Sequence, residues 1–92
     1  MLMEFEWNNE KAKVNSSKHS VSFDEAKTVF DDPLYIEFFD PDHSDNEERY
    51  IIVGQSQQNR LLVVSYMERG RRIRLISARE ATRWEREAYE DE

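Results

Sequence analysis

Three runs of strand length and composition, residues 49–55, 61–67 and 71–77, follow one another with only Ser56-Gln57-Gln58-Asn59 and Glu68-Arg69-Gly70 as the main breaks between them. Connections this short close hairpins, so the three runs read as an antiparallel meander. A fourth run, residues 34–39, is short, aromatic and β-branched. The dense turn signal Asp40-Pro41-Asp42-His43-Ser44-Asp45-Asn46 separates it from the meander by an exposed loop. Helical signals lie on either side. Phe5 and Trp7 alternate as in a short strand, and Asn8 then caps a helix running to about Lys18. Ser22-Phe23-Asp24-Glu25 has capping-box spacing, with Val21 and Ala26 at the staple positions and Phe23, Ala26, Val29 and Phe30 at helical spacing. That helix should stop at Asp31-Asp32-Pro33, because Pro disfavours helical geometry in the residue before it. Ser77-Ala78-Arg79-Glu80 repeats the capping-box spacing. It predicts a last helix with Ala81, Trp84 and Ala88 on one face and Arg79, Arg83 and Arg86 on the other. The order is helix, helix, four strands, helix. It predicts an α+β fold in which helices pack on a four-stranded antiparallel sheet.

Ninety-two residues allow one core and a single domain spanning residues 1–92, and 38% hydrophobic content with 12% aromatic is enough to fill it. The aromatic side chains Tyr35, Phe38, Phe39 and Trp84 are expected mostly in that core, with one or two left to contact a partner. No cysteine occurs, which excludes disulfides, thiolate nucleophiles and Cys-based zinc sites, and fits a reducing, cytoplasmic setting. The longest apolar runs fall far short of the roughly 18 residues of a membrane span, and the N-terminus lacks a basic start and an apolar stretch, so no membrane association or export is expected.

Charge is unevenly divided. Residues 1–59 carry 5 Lys+Arg and 13 Asp+Glu, residues 60–86 carry 8 Arg and 3 Glu, and residues 87–92 carry 4 acids. The basic segment uses Arg throughout, the side chain that forks onto phosphate. Two readings stand: a solvated face paired with the acidic half, or a phosphate-binding face. Arg72 and Arg74 alternate with Ile73 and Leu75, so one sheet face is apolar and the other cationic, with Arg49 opening a neighbouring strand.

Common catalytic constellations are missing: there is no phosphate-binding Gly loop, no G-x-S-x-G elbow, and the two histidines, His19 and His43, lack H-E-x-x-H spacing. The acidic cluster Asp40, Asp42, Asp45, Glu47 and Glu48 lacks EF-hand spacing and reads as a solvated loop. No metal or cofactor is called for. RNA cleavage without metal needs a base for the 2′-hydroxyl, a cation for the charge developing on the phosphate and an acid for the leaving 5′ oxygen. His43, Glu47 or Glu48, Arg49 and Arg79 are chemically adequate for those tasks. Lys18 and His19, ending the first helix, serve either its dipole or a phosphate.

Read in order, Phe5-Glu6-Trp7, Lys11, Asn15, Lys18-His19, Val21-Ser22-Phe23, Val29-Phe30-Asp31-Asp32-Pro33 and Asp42-His43-Ser44 form a familiar series. It continues through Glu47-Glu48-Arg49, Gly54, Arg60-Leu61-Leu62-Val63-Val64, Glu68-Arg69 and Ile73-Arg74 to Ile76-Ser77-Ala78-Arg79, Ala81, Glu85-Arg86 and Tyr89-Glu90. From about residue 5 to residue 90 the series resembles the BrnT toxin family. The resemblance implies a RelE-like ribonuclease of a type II toxin–antitoxin system that cleaves RNA and halts translation. It also implies a BrnA-like antitoxin carrying a ribbon-helix-helix part, a two-plus-two heterotetramer, and contact with operator DNA only through the antitoxin. Carried over by position, it assigns the catalytic roles to His43, Glu47, Glu48, Arg49 and Arg79, with Glu48 or His43 moving the proton. RNA contacts would come from Lys18, His19, Arg72, Arg74, Ser77 and Arg83. The chain departs from the family pattern at Asn8, where Asp is usual, at Ser20, where Gly is usual, and at Gln58-Asn59, where a Gly commonly precedes Arg60. Ser20 is expected to take an unusual backbone angle, and Asn59 a left-handed turn. The alternative is a catalytically degenerate member acting only as a binding module within an antitoxin–operator complex.

Overall fold

A computed structural model describes residues 3–43 and 48–91. In chain order the elements are β1 (Glu4–Glu6), α1 (Asn9–His19), α2 (Phe23–Ala26) running into a 3-10 turn (Lys27–Asp31), and β2 (Ile36–Phe39). A second 3-10 turn (Pro41–His43) precedes β3 (Arg49–Gln55), β4 (Leu61–Arg69), β5 (Arg72–Glu80) and α3 (Arg83–Glu90). The expected meander is present as β2, β3, β4 and β5, each antiparallel to the next.

The sheet differs from expectation in one respect: it has five strands and is mixed, in the order β1-β5-β4-β3-β2. β1 lies parallel to β5, with Phe5 opposite Ile73 and Glu6 opposite Arg74. Side chains explain the pairing. Glu4 and Glu6 have the same two-residue spacing as Arg72 and Arg74 and meet them at 3.3 and 2.8 Å. Phe5, pointing the other way, packs edge-on to Phe30 with ring centres 5.1 Å apart.

The helix starts follow the caps. Asn8 accepts from the Lys11 N–H, and the Ser22 side chain accepts from the Glu25 N–H. Glu25 itself does not reach back to Ser22. Its carboxylate is buried and bonded to Ser56 Oγ at 2.7 Å and to the Arg60 guanidinium, which holds it below the usual carboxylate range. Arg60 also donates to the Ser20 carbonyl at 3.0 Å, closing the C-terminal end of α1. Ser20 and Asn59 adopt left-handed φ values of 58° and 63°, as expected of both. The helix after Ser22 narrows to 3-10 geometry at Lys27 and ends before Pro33.

Two layers of core lie on the two faces of the sheet. On one, α1, α2 and the 3-10 turn cover Ile52, Leu62, Val64, Tyr66, Ile73, Leu75 and Ala78 with Val21, Phe23, Ala26 and Val29. Gly54 is required there: a Cβ on it would stand 2.9 Å from Val29 Cγ1 and 3.2 Å from an Asp32 carboxylate oxygen. On the other face, Ala81, Ala88 and Tyr89 pack on Ile36, Val53, Leu61 and Val63.

Residues 77–80 do not open a helix. They complete β5, opposite β4 as far as Glu80, and the working capping box is Thr82 with Glu85. Ladder hydrogen bonds to β4 outweigh a local cap at Ser77. The one-face arrangement of Ala81, Trp84 and Ala88 fails with it: Trp84 is 73% exposed. Tyr35, Phe38 and Phe39 also stay about half exposed, because β2 is the outer strand and has no second neighbour among the described residues.

Asn15 is the buried polar link between α1 and the sheet. β1 pairs only with residues 72–74, so farther along β5 that edge needs another partner. The Asn15 amide supplies it, donating to the Ala78 carbonyl at 2.8 Å and accepting from the Ala78 N–H at 3.0 Å, while its second N–H reaches the Val21 carbonyl at 2.9 Å.

Candidate functional site

Because α3 covers only one end of its sheet face, the other end is left without a helix among the described residues. Strand register determines what that end displays. Arg49, Met67 and Arg74 lie in one row across β3, β4 and β5; Ile51, Ser65 and Ser77 form the next row; Val53, Val63 and Arg79 form the third. Side chains that alternate along a strand share a face, so Arg49, Arg74, Ser77 and Arg79 face the same way. The cationic sheet face expected from the Arg72/Arg74 alternation is therefore real, and Arg79 belongs to it as a strand residue. The expected helical cluster of Arg79, Arg83 and Arg86 does not form. Arg83 lies on the outer side of α3, with its side chain 92% exposed and 3.1 Å from Glu87.

Most of these guanidinium groups have carboxylate partners. Arg79 makes a two-pronged contact with Glu85, 2.7 Å on each prong, which takes the Glu85 carboxyl down to about 2 and raises Arg79 above its ordinary value. Arg74 donates to Glu6 at 2.8 Å, and Arg69 and Arg72 approach the same carboxylate at 3.5 and 3.6 Å. The Arg74 hydrogen bond leads in holding Glu6 below its usual range. Four guanidinium groups, of Arg69, Arg72, Arg74 and Arg79, thus share three carboxylates, Glu4, Glu6 and Glu85. The face keeps a cationic excess, although part of the solvated, paired reading also holds. None of these carboxylates was given a site role from the sequence. For Glu6 the signal was present, since its spacing from Glu4 matches that of Arg72 and Arg74.

The loop between β2 and β3 springs from the Arg49 end of this face, where the Asp40 N–H donates to the Arg49 carbonyl at 2.8 Å. His43 ends the 3-10 turn in that loop. The His43 side chain and all of Glu47 lie outside the described residues. Glu48 is drawn to the opposite side of the sheet: it accepts from the Tyr50 hydroxyl at 2.8 Å, and the Tyr50 ring stacks on Tyr66 in the helix-covered core. That bond, first among several carboxylate influences, raises the Tyr50 hydroxyl. Glu48 and Arg49 are adjacent in sequence and separated by the sheet.

Lys18, His19 and Ser77 are brought together. They line a cavity of about 310 Å³ between α1 and β5, with Lys11, Val14 and Ile76. Arg72 is at the outer end of the Arg face, 61% exposed. Among the described residues no group of three His, Asp or Glu side chains is placed to hold a metal ion, and no described helix is long and apolar enough to cross a membrane.

Comparison with known proteins agrees with this architecture. No curated protein matches the sequence. The crystal structure of the Brucella abortus ribonuclease toxin BrnT superposes with a TM-score of 0.65 at 19% sequence identity, covering 89% of this chain and 100% of that one, which shows a shared fold. A family model described as the ribonuclease toxin BrnT of type II toxin–antitoxin systems matches residues 7–85. With that match spanning most of the sequence, the chain belongs to the BrnT family of type II toxin–antitoxin ribonuclease toxins.

Proposed function

We propose that this chain is an active, metal-independent endoribonuclease that cleaves RNA and inhibits translation in the bacterial cytoplasm. The observation that carries the reading is the placement of Arg49, Arg74 and Arg79 on one sheet face, with Arg49 at the root of the loop that bears His43 and Arg79 beside α3. Guanidinium groups fork onto phosphate oxygens and can take the charge-stabilising role of a cation. In the proposed reaction a base in the loop removes the proton of a ribose 2′-hydroxyl. The 2′ oxygen bonds to phosphorus, and the bond from phosphorus to the 5′ oxygen breaks. The products are a 2′,3′-cyclic phosphate and a 5′-hydroxyl, whose proton comes from a protonated loop group or from water. Of His43, Glu47 and Glu48, we assign the proton transfer to His43, because Glu48 is engaged by Tyr50 across the sheet. Arg49 and Arg79 stabilise the phosphorane oxygens. Arg74, Arg72, Ser77, Lys18, His19 and Arg83 contact the strand on either side.

The partner in this reading is a BrnA-like ribbon-helix-helix antitoxin that covers the Arg face, forms a two-plus-two heterotetramer with the toxin and alone contacts operator DNA. One observation favours the second reading, a catalytically degenerate binding module: Arg74 and Arg79 are each already satisfied by a carboxylate. Inducing the chain in a bacterial host, with and without its neighbouring gene, separates the two. Growth arrest with new RNA ends by primer extension, reversed by the neighbour and lost in Arg79→Ala, is the expected result. Normal growth and intact RNA with soluble folded protein would transfer the assignment to the binding module.

A further inference from the structure

We propose that the cavity between α1 and the open edge of β5 is a nucleobase subsite that receives a base beside the cleaved phosphate, with guanine the best match; this deepens, and rests on, the ribonuclease reading. The cavity joins the Arg face at Ser77. That residue lies between Arg74 and Arg79 on β5, about 7 Å along the strand from Arg79, so a strand held by those arginines passes its mouth. Two of its lining residues, Val14 and Ile76, are apolar. Val14 is 63% exposed on α1. Ile76 is turned out by an irregularity in the β4–β5 ladder, where Ser65 pairs with Ser77 and Tyr66 with Leu75, leaving Ile76 without an opposite residue. A bulge of this kind re-aims a side chain, here into the cavity wall. Two aliphatic side chains make a platform for the flat face of a base.

The rim selects the edge of the base. Lys11, Lys18 and Ser77 present donors, against a single carboxylate, Glu10, at one end, itself 3.8 Å from Lys13. Donor-rich linings suit acceptor-rich edges, and O6 with N7 of guanine is the edge that lysine reads best. The cavity, about 310 Å³, accommodates one base and shares Ser77 with the charged face. It is held open by the Asn15 bonds to Ala78 and Val21, which keep α1 at a set distance from β5.

The test uses fluorescent 2′-O-methyl hexanucleotides, which resist cleavage through the 2′ oxygen, and reads binding by anisotropy. The parent protein is expected to bind a hexamer with one central guanine about tenfold tighter than hexauridylate, within the discrimination that hydrogen bonds to one base edge contribute. Val14→Glu and the uncharged Val14→Asn should abolish that preference. Ser17→Glu, which adds the same charge to α1 away from the cavity lining, should retain the preference. Equal binding of both hexamers by the parent, or a preserved preference in both Val14 variants, would overturn the subsite alone. Failure of the parent to bind either hexamer would instead overturn the ribonuclease reading, and the subsite with it.

Discussion

Replacing Asn15 by Leu removes the link between α1 and the sheet edge, and the cost can be worked from its contacts. Two carbonyls, of Val21 and Ala78, and the Ala78 N–H lose their side-chain partner. The Asn15 side chain is buried, and no described buried side-chain polar atom lacks a partner, so the site has no tolerance for orphaned groups. Each unsatisfied buried group costs about 1–3 kcal/mol, and local relaxation reduces the sum to roughly 3–5 kcal/mol. For a domain of this size total stability is about 5–14 kcal/mol, so Asn15→Leu should remove a large share and lower Tm by at least about 12 °C. Urea denaturation with linear extrapolation measures it, with an unchanged slope indicating that compactness is preserved. Asn15→Asp adds a sign test. A buried carboxyl facing two carbonyls has its pKa raised, so the variant's deficit should be smallest below the ordinary Asp value of about 3.9 and grow as pH rises through the folded pKa. A loss under about 1 kcal/mol for Asn15→Leu, against the range for an unsatisfied group, would refute the argument. So would an Asp variant whose deficit does not change with pH.

Ser20→Gly should stabilise by about 0.5–1 kcal/mol, because Ser20 holds a left-handed φ of 58° at the end of α1; chemical denaturation of the two proteins gives the difference. Gly54→Ala should cost about 1–3 kcal/mol from overpacking against Val29, read in the same way. Glu85→Gln should flatten the acid limb of stability. In the parent the Glu85 carboxyl is depressed from 4.5 to about 2, so its contribution is complete above 4.5 and lost as pH falls toward 2. The difference between parent and variant should shrink across that window in acid titrations followed by circular dichroism. Arg79→Ala, removing a transition-state contact, should lower RNA cleavage by about 10²–10³-fold with the fold retained, measured with purified protein in the presence of chelator; full activity would remove Arg79 from the proposed site.

Much of this was readable from local sequence. β3 begins and ends at the expected residues because β-branched runs bounded by turn residues leave little choice, and the caps at Asn8 and Ser22 act on the expected N–H groups. What escaped were effects that depend on distant partners. A short strand at Phe5 was expected, but its place in the sheet was not, because β1 is three residues long and its parallel pairing with β5 has no hairpin to announce it. Ser77-Ala78-Arg79-Glu80 satisfies a capping-box pattern, yet β4 was available to extend β5, and the tertiary partner won. The same partition applies to the site. Alternation showed that Arg72 and Arg74 share a face, whereas Arg49 and Arg79 joined them only through register, and Glu48 left Arg49 because strand neighbours point to opposite sides.

The parallel contact between β1 and β5 also governs the order in which the molecule comes into being on the ribosome. Glu6 and Arg74 are 68 residues apart, an interval of roughly 3–14 s at ribosomal elongation rates of about 5–20 residues per second. Until β5 has emerged, β1 has no neighbour, α1 has no Ala78 to hold, and the rows containing Arg74 and Arg79 do not exist. The hairpin of β3 and β4 rests on local contacts, whereas the cationic face depends on long-range closures and is expected among the last features completed. A nascent chain of this design therefore carries its arginines without a working arrangement of them for most of its synthesis.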